Sequence, residues 1–279
     1  MKTLLLLSSL SGIFMLLGYL IGSTLGMFIG FVLAMSINFA TYWFSDKIVL
    51  KMYKAKEVGK HHKLYTIVHD LSKQAKMPMP KVYTIETNTP NAFATGRSPK
   101  HSAVAATESL MSMLTEEELK GVMAHELTHI KNRDTLIQTI AVGIAASIAM
   151  IAEFFQWMTI FGFGSDEDNA GIGGIIGVMI LAILVPIIAT IIQLAISRQR
   201  EYMADAGAVH LIKTPQPLIN ALRKLEGAIP SQTPVSPSKS PTQSLFIVNP
   251  FKGSAMFNLF STHPSTDKRV EAMKKIKIK

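Results

Sequence analysis

The feature that most constrains this chain is a run bounded by Lys2 and Asp46 with no charged residue between them. It is about twice the roughly 20 residues that one helix needs to cross the hydrocarbon core of a bilayer. Two spans fit it, Thr3–Ile21 and Leu25–Trp43, joined by a minimal turn at Gly22-Ser23-Thr24. Lys2 also supplies the positive start of a secretory signal, but the apolar stretch is long, no A-x-A-like site ends it, and a second apolar segment follows at once. A second apolar block from about Thr135 to Ile196 is broken by the acidic, Gly-flanked segment 164–169 and reads as another helical hairpin.

Charge placement orients these hairpins. The net charge of +9 could suggest nucleic acid, but no Lys or Arg occurs from Thr135 to Ser197, whereas Lys47, Lys51, Lys54 and Lys56 follow the first pair and Lys131, Arg133, Arg198 and Arg200 bracket the second. The positive-inside rule then puts both termini and all the polar sequence in the cytoplasm. The basic excess is a matter of topology, and no aromatic-plus-basic cluster of a nucleic-acid module is present, so nucleic acid is not expected as a partner. The expected fold is mainly α with a small β-sheet: a multi-pass membrane protein with four transmembrane helices in two hairpins and a cytoplasmic α+β domain. Its expected divisions are hairpin 1 over 1–45, the first part of the cytoplasmic domain over 46–134, hairpin 2 over 135–197 and the second part over 198–279.

Within the polar pieces, Lys60–Lys76 has helical spacing of Leu64, Ile67, Val68 and Leu71. Pro80–Thr87 and Ser102–Ala106 read as short strands, and Asn91–Gly96 as a further candidate. Arg198–Ile212 and Gln216–Glu226 read as helices, and the Pro-, Ser- and Thr-rich Ile229–Pro250 as a loop.

The chemistry is concentrated in one helix. Thr115-Glu116-Glu117-Glu118 opens it as a capping box, and it runs through His125-Glu126-Leu127-Thr128-His129. Residues i and i+4 share a helical face, so both imidazoles can meet one metal while Glu126 stands within reach of the water that metal activates. The chain has no cysteine, so any metal must be held by His, Asp or Glu, and zinc suits a site of imidazole and carboxylate with one open position. H-E-x-x-H is short and also arises by chance on helix surfaces. What strengthens it is Glu201 and Asp205, again i and i+4, on the helix that follows the second hairpin. Glu201 can complete the ligand set, and Asp205 can accept the outer N–H of a ligand histidine. The competing reading of that pair is a solvated couple bridging to Arg198 and Arg200.

The paired N-terminal spans, Asn91-Ala92-Phe93-Ala94-Thr95-Gly96, His125–His129, Ser197–Asp205 and Thr262-His263-Pro264 together closely resemble the HtpX-type heat-shock membrane proteases, gluzincin endopeptidases related to the CAAX-prenyl proteases. The resemblance covers nearly the whole chain and implies that the cytoplasmic part is a zincin-like α+β catalytic domain. It implies one zinc ion per chain at His125, His129 and Glu201, with Glu126 catalytic. It also implies misfolded or damaged membrane proteins as substrates and a bacterial inner membrane as location. One departure is Lys131-Asn132-Arg133-Asp134, where a Gly is expected before the Asp. In the mechanism so implied, zinc activates water and polarises the carbonyl, Glu126 shuttles the proton, and a second donor supports the oxyanion. His263 is the candidate donor, with Tyr202 and Arg269 behind it. Substrate recognition through main-chain pairing needs an exposed strand edge, for which Asn91–Gly96 and Ser102–Ala106 are alternatives, with buried core strands as the competing reading of both. Glu153, inside an apolar span, marks either a polar cavity or the far interface. His61, His62 and His101 read as surface residues. A chaperone or scaffold with structural zinc is the alternative function, and a transporter is disfavoured because the spans hold few ionisable residues and prolines.

Overall fold

The computed structural model describes residues 2–137, 198–228 and 264–278. α1 (Lys2–Met52) is helical throughout but doubles back at Ser23, which takes φ 52°. Across the two arms, Asn38 Nδ2 donates to the Leu7 carbonyl at 3.2 Å and to Ser11 Oγ at 3.0 Å. Gly18 lies against Gly26, and Gly30 against Phe14, so closely that a Cβ on either glycine would strike the facing backbone. Small residues and a polar clasp at facing positions are how helices associate where the hydrophobic effect gives no help. The expected reversal at Gly22-Ser23-Thr24 is thus observed. The arm Ser23–Phe44 is, among the described residues, the one helix long and apolar enough to cross a membrane. The expected second hairpin lies outside the described residues from 138 onward, as do Glu153, the Pro-rich segment 229–250 and His263.

Past the apolar run, α1 continues into the polar part of the chain. Val49 and Leu50 are buried against Ile85, Phe93, Ala103 and Ala105 on one face of a four-stranded sheet. The strands are β1 (Lys56–Glu57), β2 (Lys81–Ile85), β3 (Ala92–Ser98) and β4 (His101–Thr107), in the order β1-β2-β4-β3. β2 and β4 are parallel and the other two pairings antiparallel. β4 is therefore central and covered on both faces, as its run of Ala and Val suits, while β3 is an edge strand. Of the two candidate strands only Asn91–Gly96 is at a sheet edge, and its side chains from Asn91 to Thr95 are buried. The two-residue β1 escaped sequence reading because it is too short to show a period.

The other face of the sheet carries Val82, Ala92, Ala94, Val104 and Ala106 into the main core. Against it pack α2 (Lys63–Gln74) and α4 (Glu116–Lys131), with α5 (Arg198–Ile212), α6 (Gln216–Ala228) and α7 (Thr266–Lys274) beyond; the short α3 (Glu108–Met113) links β4 to α4. α2 starts later than expected because His62 caps it, its Nδ1 accepting from the Leu64 N–H. His61 and His101 are exposed, as expected. The six-residue α3 is too short to show a helical period in the sequence; Thr107 caps it, its Oγ1 accepting from the Leu110 N–H. α4 opens with the expected capping box: Thr115 accepts from the Glu118 N–H, and Glu118 Oε2 accepts from the Thr115 N–H.

Candidate active site

α4 is buried continuously from Gly121 to Ile130, so its histidines and Glu126 are largely shielded from solvent. α5 crosses beside it with Glu201 and Asp205 both 1% exposed; they are therefore not a solvated pair. His125, His129 and Glu201 each direct one ligand atom to a common point, all within 4.8 Å of one another. His125 Nε2 and His129 Nε2 are 3.1 Å apart, and Glu201 faces both, its Oε2 3.6 Å from the first and its Oε1 3.5 Å from the second. Two ligands of a tetrahedral zinc, at bond lengths near 2.0 Å, are separated by about 3.3 Å. The separations are close to that value and the three residues leave a fourth position for water, so they fit the metal.

The outer nitrogens are equally well held. His125 Nδ1 lies 3.0 Å from Asp205 Oδ1, as expected. His129 Nδ1 lies 3.2 Å from Asp134 Oδ2, a contact that sequence reading missed. Asp134 follows His129 by more than a helical turn, and only the corner at Arg133, with φ 60°, swings it back. Carboxylates on both Nδ1 atoms fix the tautomer that leaves both Nε2 lone pairs for a metal. Arg200 Nε, 3.4 Å from Asp134 Oδ1, supports that carboxylate in turn.

Asp205 is gripped by Arg269 of α7, whose Nε donates to Oδ2 at 2.8 Å and Nη2 to Oδ1 at 2.6 Å. Arg269 is fully buried and also 3.8 Å from Glu201. Arg269, a candidate oxyanion donor behind His263, commits its Nε and Nη2 to Asp205. Burial alone would raise the Asp205 pKa, but the Arg269 charge and hydrogen bonds carry it below the ordinary value. For His125, burial pushes downward and the hydrogen bonds with Asp205 and Glu201 outweigh it, giving about 9. Glu126 is raised, chiefly by burial, against the pull of both histidines and a hydrogen bond from the Ala94 backbone. That last contact places the Glu126 carboxyl beside edge strand β3. Tyr202, next to Glu201 on α5, is half-buried.

Comparison with known proteins agrees with this geometry. Residues 59–277 match the sequence profile of peptidase family M48. The chain is 50% identical over 276 residues to a protease HtpX homolog of Persephonella marina, covering 98% of this chain and 95% of that protein. It is 47% identical over 279 residues to the Thermococcus kodakarensis homolog, covering 99% and 95%, and 48% identical over 277 residues to that of Pyrococcus furiosus, covering 99% and 95%. Among solved structures, Ste24p of S. mikatae superimposes with a TM-score of 0.53 at 19% identity, covering 98% of this chain and 64% of that one; at that identity the likeness concerns the fold alone. With a family profile spanning most of the chain and relatives near half identical over its whole length, the chain belongs to peptidase family M48 and is a membrane-bound metallopeptidase.

Proposed function

We propose that this metallopeptidase is a zinc-dependent endopeptidase acting on misfolded or damaged membrane proteins, with one zinc ion held by His125, His129 and Glu201 and with Glu126 as general base. The observation that carries the reading is the convergence of His125, His129 and Glu201, whose ligand atoms lie within 4.8 Å of one another, with a carboxylate at the Nδ1 of each histidine. Zinc bound there would lower the pKa of water and polarise a scissile carbonyl. The chain's own groups supply the rest. Glu126, raised by burial, accepts a proton from the attacking water and returns it to the leaving amine. The edge of β3, whose Ala94 backbone meets Glu126, lays out an extended substrate by main-chain pairing, which suits a peptidase that accepts many sequences. His263 is retained as the proposed oxyanion donor. Charge placement supports an active site and both termini on the cytoplasmic side of an inner membrane.

A chaperone with structural zinc is the weaker reading. Structural zinc is usually closed by four protein ligands, and the cluster among the described residues has three, with a buried carboxyl of raised pKa beside it. Metal analysis of detergent-purified wild type and Glu126→Gln, each stripped with chelator and reloaded with zinc, tests the assignment alongside casein cleavage. One zinc per chain in both, with cleavage by wild type only, is the expected result. Equal zinc with no cleavage by either protein would favour the chaperone, and no zinc in either would remove the site.

A further inference from the structure

Edge strand β3 is fastened at one end to the membrane hairpin. Arg97 leaves the strand at the irregularity between Gly96 and Ser98, where Gly96 takes φ 129°, a conformation open to glycine. The Arg97 guanidinium lies 4.4 Å from the centre of the Trp43 ring, and Nη1 donates to the Trp43 carbonyl at 3.0 Å. A planar cation on an indole face is a favourable pairing at an exposed site. Trp43 is at the end of the apolar arm Ser23–Phe44. Phe39, Tyr42 and Phe44 around it are all exposed, and Asp46 and Lys47 follow. Aromatic residues giving way to charge mark the headgroup level of a bilayer.

A second tie meets the same end of the strand. Thr135 Oγ1 donates to the Gly96 carbonyl at 3.0 Å, and Thr135 begins the long stretch without Lys or Arg. The two places where polar sequence gives way to apolar sequence therefore both grip the end of β3. The burial of Val49 and Leu50 in the sheet removes any slack between the hairpin and the peptidase domain. Ala94, whose backbone meets Glu126, stands three residues before Arg97, or about 10 Å along a strand.

We propose that β3 is a depth gauge: braced by Arg97 on Trp43 and by Thr135 on Gly96, it holds the reacting centre within about 10 Å of the headgroup level. Its substrates are then extended segments of membrane-anchored polypeptides, cut at a set height above the bilayer and not at preferred side chains. The inference rests on the peptidase reading and gives it a rule of selection. Arg97 is a positioning residue here, acting through the strand.

The test uses the zinc-loaded full chain in proteoliposomes with a single-span substrate carrying a long unstructured cytoplasmic tail, its cuts mapped by mass spectrometry. Cuts are expected between about three and ten residues from the end of the span, and a spacer inserted directly after the span should move them along the tail by its own length. Cuts that stay at the same tail sequence, or that scatter along it, overturn the gauge. Casein in detergent separates the two ideas: casein cleavage with scattered tail cuts removes the gauge and leaves the peptidase, while no cleavage of either substrate removes both. In Arg97→Ala, checked for unchanged zinc content, the window of cut positions should widen about twofold or more, with Arg97→Lys intermediate. A window of wild-type width in Arg97→Ala overturns the role given to Arg97.

Discussion

Arg133 shows how much one residue settles. It sits at φ 60°, immediately after the cap residue Asn132 that ends α4, in the left-handed conformation that costs an L-residue roughly 1–2 kcal/mol and that glycine adopts freely. The family resemblance leads one to expect glycine there, and the backbone supplies the reason: the chain must turn sharply so that Asp134 can return to His129 Nδ1. Arg133→Gly should therefore raise stability by about 1 kcal/mol, less than the full strain because glycine loses more backbone freedom on folding. A thermal melt in detergent would register this as a few degrees, with zinc content unchanged. A lower melting temperature would mean that the Arg133 side chain contributes more than its backbone costs. The residues H-E-x-x-H announced themselves by spacing, whereas Asp134 became a partner of the site only through this corner.

At the scale of elements, α4 is held between neighbours that approach through glycines. A Cβ on Gly207 of α5 would collide with the Thr128 side chain, which lies between the two histidines, and one on Gly121 would come within 2.7 Å of the Leu218 backbone nitrogen of α6. Gly207→Ala should push α5 away from α4 and draw Glu201 off the two imidazoles, costing about 1–3 kcal/mol of stability and weakening metal retention. The added substitution Thr128→Ala should recover much of both; if the double variant is no better than the single, the contact is not the cause. The start of α4 makes a separate prediction. Burial would raise the Glu118 pKa, but its hydrogen bond from Lys224, at 2.7 Å, and those of the capping box bring it below the ordinary value. A depressed carboxylate contributes stability that is complete above its unfolded pKa of about 4.3 and drains away as pH falls through the lower folded value. Glu118→Ala should thus cost about 1 kcal/mol in denaturant melts at neutral pH, with a smaller deficit at acidic pH. A deficit independent of pH would point to the lost side-chain packing.

Over the whole molecule, the site is a meeting of distant segments. Arg269 is 64 residues from the Asp205 it grips and 144 from the His125 that Asp205 orients. Arg269→Ala should lower zinc affinity by roughly 10–100-fold, the usual effect of losing support behind a metal ligand, as read by competition with a chelator. Lysine at the same position should restore only part, since it lacks the paired donors. Unchanged affinity in Arg269→Ala would show that Asp205 holds His125 unaided. Sequence by itself determined what depends on neighbours within about a turn of chain: the reversal near Ser23, the capped helix, the paired imidazoles with Glu126 between them, and the spacing of Glu201 and Asp205. These are legible because helix geometry sets which residues share a face before any packing occurs. Only the tertiary structure decided that β3 and not β4 is the edge, that Asp134 backs His129, that Arg269 grips Asp205, and that Arg97 reaches Trp43. Each of those choices depends on which segments pack together, and close packing of whole elements, unlike local periodicity, leaves no repeat in the sequence to read.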